Sequence, residues 1–91
     1  MCNVIDLIAR TSWDTAQRGA LSMWTVYDHP RDFPDGFVAR RFEVRKGEPV
    51  VTKDAITANG LQPLRTAFER AGLTVIARFE GDEPQIVETW M

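Results

Sequence analysis

The stretch that decides the fold is Phe37-Val38-Ala39-Arg40-Arg41-Phe42-Glu43-Val44-Arg45, followed by Lys46-Gly47-Glu48 and Pro49-Val50-Val51-Thr52. Alternation puts Val38, Phe42 and Val44 on one side and Ala39, Arg41, Glu43 and Arg45 on the other, the period-two pattern of a β-strand. Arg40 intrudes on the apolar side. Lys46-Gly47-Glu48 reads as a hairpin tip and Pro49 to Thr52 as the return strand, with Pro49 suited to a strand start or a sheet edge.

Upstream, Trp24 to Tyr27 alternates and is rich in β-formers, so it reads as a strand ending at Asp28-His29-Pro30, where Pro30 excludes His29 from the helical region. Pro34-Asp35-Gly36 is a turn, with proline presetting φ and glycine accepting a positive one. Downstream, Leu61, Leu64, Phe68 and Ala71 recur at three or four residues, so Thr57 to Gly72 reads as a helix with one apolar stripe. Asn59 is its candidate cap, Pro63 fits within the first turn, and Gly72 is placed to end it. Leu73 to Phe79 alternates again, Gly81 to Pro84 makes a turn, and Gln85 to Met91 closes the chain as a strand. These elements predict an α+β domain: a mostly antiparallel four- to five-stranded sheet in ββ(β)αββ order, with one main helix on one face.

Ninety-one residues bound one domain. That domain is expected over 23–91, with 1–22 an N-terminal extension in which Val4, Ile5, Leu7 and Ile8 favour a short helix. Trp24, Ile76, Trp90 and Met91 cannot all lie under one helix. The second sheet face is therefore either covered by the N-terminal segment or offered to a partner.

The net charge of −2 argues against a chain-wide attraction for nucleic acid. Cys2 is the sole cysteine, so a chain cannot form an internal disulfide or a thiolate metal cluster, which fits a reducing cytoplasm. No apolar run approaches the roughly 20 residues a bilayer requires, and Asp6 and Arg10 interrupt the start as a leader.

The chemistry gathers in one place. Asp28, His29 and Asp32 form an acid–base grouping, a carboxylate beside an imidazole, although histidine before proline also caps turns. With Asp35 they offer oxygen and nitrogen ligands, but their spacing matches no calcium loop or zinc signature, so neither metal nor cofactor is expected. Arg40, Arg41, Arg45 and Lys46 beside Phe37 and Phe42 make a basic, aromatic strip of the kind that binds RNA. It lacks the ribonucleoprotein pattern, and such arginines also pair with neighbours such as Glu43 and Glu80.

The run Met23-Trp24-Thr25-Val26-Tyr27-Asp28-His29-Pro30, with Asp32-Phe33-Pro34, Phe37-Val38-Ala39-Arg40-Arg41-Phe42, the Asp54 to Leu64 stretch and Ile86-Val87-Glu88-Thr89-Trp90, resembles a group of small uncharacterised bacterial proteins. Those proteins begin near the position of Met23. The resemblance implies no activity and no catalytic residue. Two features depart from it: Gly60 stands where a serine-type helix cap is usual, and Met1 to Ser22 lies outside it.

The resulting expectation is a cytoplasmic, non-enzymatic protein-interaction module with another protein or a second copy as partner, in one version an accessory or inhibitor protein of a phage or mobile element. Its candidate binding residues are Tyr27, Asp28, His29, Arg31, Asp32, Phe33, Phe37, Arg40 and Arg41. The alternatives are a ligand-binding or acid–base domain using His29 with Asp28 or Asp32, and RNA binding through Arg40, Arg41 and Phe42.

Overall fold

The hairpin forms where the alternation places it. Phe37–Arg45 pairs antiparallel with Glu48–Ala58 across a two-residue turn in which Lys46 and Gly47 both have positive φ, 51° and 81°. That is the type I′ geometry whose twist matches the flanking strands. In the computed structural model, which describes residues 4–76 and 86–91, the element order is α1 (Val4–Gln17), β1 (Leu21–Asp28), β2 (Phe37–Arg45), β3 (Glu48–Ala58), α2 (Leu61–Arg70), β4 (Val75–Ile76) and β5 (Ile86–Trp90). The strands form one sheet in the order β3-β2-β1-β5-β4, with every neighbouring pair antiparallel.

β3 runs beyond the expected end at Thr52 because a bulge absorbs the polar residues there. Arg40 faces Ala55 and Phe42 faces Val51, so three residues of β3 stand opposite Arg41 alone. The Thr52 hydroxyl donates to the Arg41 carbonyl at 3.0 Å and accepts the Asp54 N–H at 3.2 Å, replacing lost ladder bonds. Since Thr57 and Ala58 belong to β3, α2 starts at Leu61, with Gly60 extended in the cap position and no side-chain cap. Pro63 sits in the first turn, where its missing N–H costs no helical bond. At the other end, Leu73 N–H bonds Phe68 O and Gly72 N–H bonds Glu69 O, a Schellman closure.

Of the strand expected over Leu73 to Phe79, Val75 and Ile76 form β4, Leu73 and Thr74 lie just before it, and 77–79 with the Gly81 to Pro84 turn lie outside the described residues. Beyond β5, Met91 and Thr74 exchange backbone bonds at 2.8 and 3.0 Å.

Both helices lie on the same face of the sheet. Ile8 of α1 and Leu64 and Phe68 of α2 share one buried cluster with Trp24, Val26 and Trp90. Phe68 stacks on Trp90 with ring centroids 5.4 Å apart and tilts against Trp24 at 5.7 Å. The indole of Trp90 donates to Glu88 at 3.1 Å, whereas the buried Trp24 indole N–H has no partner among the described residues. The helix expected within residues 1–22 is α1, which packs beside α2 with Ile8 and Thr15 fully buried, and β1 runs across the 22/23 boundary. The apolar side of α1 completes the core that α2 alone is too short to close.

Because Ile8 is fully buried, Ile8→Ala is expected to cost about 2–4 kcal/mol, measured as a lower urea midpoint at unchanged m-value.

Candidate functional site

The loop between β1 and β2 begins at His29, whose N–H donates to the Gly36 carbonyl at 2.8 Å and whose φ is 47°. A left-handed histidine is uncommon and costs about 1 kcal/mol or more, so the closure is held by its surroundings. Gly36 contributes in a way the turn reading missed. Its φ is not positive; a Cβ there would stand 2.5 Å from the Ala58 carbonyl oxygen and 3.0 Å from the Phe33 ring. Glycine is needed for close approach to the end of β3, not for backbone handedness.

Asp28 pairs with His29 through Nδ1, and the imidazole meets the Phe37 ring edge-on at 5.4 Å. Such a pair leaves Nε2 free for proton transfer, yet both side chains are about half exposed (49% and 52%), so water screens it. Asp32 pairs instead with Arg40, separating it from His29. Since Arg40 lies on the sheet face turned away from the helices, this ion pair ties the loop to that face, where Val38 is 3% exposed. Pro30 is buried, Phe33 is half-buried, and Arg31 and Asp35 are exposed.

Arg41 is elsewhere. It points to the opposite face, beneath α1, and is 6% exposed. Its Nε donates to Asp54 at 2.7 Å, Nη1 to Thr15 Oγ1 at 3.0 Å and Nη2 to Glu43 at 3.1 Å. Thr15 Oγ1 in turn donates to the Thr11 carbonyl at 2.6 Å. Arg18 forks onto both Glu43 oxygens at 2.8 and 3.0 Å. The Arg18 hydrogen bonds, with a smaller contribution from Arg41, hold the Glu43 carboxyl at about 2 against the opposing effect of burial. Glu43 likewise raises the Arg18 guanidinium. A second pair, Arg65 of α2 on Glu88 of β5 at 3.0 Å, raises Arg65 through the same hydrogen bonding. The basic strip that reads continuously as Arg40, Arg41, Arg45 and Lys46 is thus divided: Arg40 and Arg41 emerge on opposite faces and each is paired with carboxylate.

Of the two fates the sequence leaves for the second sheet face, covering by the N-terminal segment is not the one adopted, since α1 lies with α2 on the first face. Met23, Tyr27, Phe42, Ile76, Ile86 and Met91 line a shallow cavity of about 330 Å³ on the second face, with Thr25 and Thr89 between them and Pro49 at its rim. Among the described residues both helices lie on the other side. The apolar side of β2, Val38, Phe42 and Val44, was legible as a stripe, but it points away from the helices. The side that carries Arg41 and Glu43 points toward them. Tyr27 is the one expected binding residue whose strand position places it directly in this cavity.

No group of three or more His, Cys, Asp or Glu side chains is arranged to hold a metal ion among the described residues. No described helix is long and apolar enough to cross a membrane. No family model matches the chain, and no curated protein or solved structure matches it.

Two outcomes follow from the charge arrangement. Arg41→Ala leaves Asp54 and Glu43 facing an emptied buried site and is expected to cost about 3–5 kcal/mol, whereas Arg40→Ala, at a pair whose side chains are 33% and 60% exposed, is expected to cost about 1 kcal/mol or less; chemical denaturation measures both. Glu43 has a folded-state pKa of about 2 against an ordinary 4.5, so its contribution is complete above pH 4.5 and is lost as pH falls towards 2. Thermal midpoints of the wild type should drop more steeply through that window than those of Glu43→Gln.

Proposed function

We propose that this protein is a non-enzymatic interaction module whose contact surface is the uncovered sheet face, bordered at one end by the His29-to-Gly36 loop. The observation that carries the reading is the apolar character of that face. Sheets bury one face and solvate the other with polar residues when they act alone. Here the outward sides of β1 and β2 hold Leu21, Met23, Tyr27, Val38, Phe42 and Val44, with Arg40 as the charged exception. Contiguous apolar surface of this kind, bounded by a charged loop, marks a macromolecular contact.

The loop contributes polar rim rather than chemistry. Asp28, His29, Arg31 and Asp32 are exposed around the edge, and Tyr27 supplies an aromatic anchor with a polar tip near the centre. Arg41 acts from the other side of the sheet, where its ion pairs hold the layer under the face rigid.

In extracts of cells that carry it, the full chain is expected to elute in a complex well above its own 10.3 kDa, and Phe42→Glu to return it to the size of the free chain with a thermal midpoint within a few degrees of wild type. Elution of the wild type as the free chain would remove the reading.

A further inference from the structure

The geometry points to a second copy of this chain as the occupant of the uncovered face, joined about a two-fold axis so that two sheets stack face to face between two outer helix layers. This rests on the reading of that face as an interaction surface and names its partner.

Dimensions support it first. The molecule measures 35 × 34 × 22 Å, and its short axis is the thickness of one helix layer on one sheet. Packed sheets sit about 10 Å apart with interdigitating side chains, so a second sheet is the layer that a two-layer structure with an apolar outer face lacks.

Charge distinguishes the occupant. On the outward sides of the central strands β1, β2 and β5, Arg40 is the one charged side chain, and Asp32 of its own chain already neutralises it. A strongly charged partner therefore finds little to recognise on the strands themselves, the charges being confined to the rim. An identical apolar face is complementary as it stands, because an isologous contact requires only that the patch match itself. The outer strand adds to the same surface: Val51, which pairs with Phe42 in register and shares its side, is 61% exposed, a costly exposure for a β-branched aliphatic side chain unless a partner covers it.

The edge of the sheet is a weaker route to the same stoichiometry. Strand β3 carries Lys53 on a bulged segment, a combination that discourages edge-to-edge pairing.

Sedimentation of the purified full chain from low to high micromolar concentration tests the proposal. The expected result is a species near twice 10.3 kDa whose dissociation constant rises at least about tenfold in Val51→Glu and in Phe42→Glu, with Trp13→Glu, on the outer side of α1 and 66% exposed, leaving it unchanged. Val51→Glu is included because an already exposed position tolerates the charge without unfolding, which circular dichroism verifies. A monomer at the highest concentration, or a dimer broken by Trp13→Glu and indifferent to Val51→Glu, overturns the proposal. If the purified chain is monomeric while cell extracts still hold it in a larger complex sensitive to Phe42→Glu, the second copy is excluded and the interaction reading survives. If it is monomeric in both, both fall.

Discussion

The structure depends on a guanidinium held beneath a helix. Desolvating Arg41 costs several kcal/mol unless its donors are satisfied, and they are satisfied by groups from four elements: Thr15 on α1, Ser22 on β1, Glu43 on β2 and Asp54 on β3. Each acceptor fixes something larger. Thr15 sets where α1 rests, Asp54 sets where the β3 bulge falls, and Glu43, shared with Arg18, ties the end of α1 to the sheet. The helix layer therefore lies on the side of β2 that holds its charges, and the apolar side is left facing outward.

That arrangement gives the two sides of the sheet different surroundings. The aromatic core of Trp24, Phe68 and Trp90, closed by Ile8 and Leu64, supplies the burial, and the Arg41 and Glu88 pairs orient the helices upon it. Among the described residues, neither helix packs on the opposite face, so the contacts that hold the layers together lie on one side of the sheet. The loop from His29 to Gly36 is anchored to both β2 and β3. Its closure against Ala58 is structural, and its Asp32–Arg40 pair neutralises the charge on an otherwise apolar face.

Much of the fold is legible in the sequence because it rests on local rules. Lys46-Gly47 between alternating runs specifies the hairpin, the Leu61, Leu64, Phe68 spacing specifies α2, and Gly72 its end. The extension of β3 was not legible, because Lys53 and Asp54 look like a strand's end until Arg41 is known to require Asp54. The placement of α1 was not legible either. Its short apolar run offers a helix but no address, and the address is a hydrogen-bonding one, through Thr15 and Arg18. For the candidate site, Tyr27, Asp28, His29 and Arg40 were found by their crowding between prolines, while Met23, Ile76 and Ile86 join them only through pairing of strands distant in sequence.

The sequence by itself determined the antiparallel α+β class, the hairpin and the amphipathic helix α2, because two- and 3.6-residue periods and turn chemistry act over a few neighbouring residues. Tertiary structure alone decided which face of the sheet was buried. Periodicity divides a strand into two sides without saying which is inside, and hydrophobicity favours the wrong one here. A cluster of charges that complete one another's hydrogen bonds under a helix outweighs the apolar stripe, which is left on the side of the sheet away from the helices.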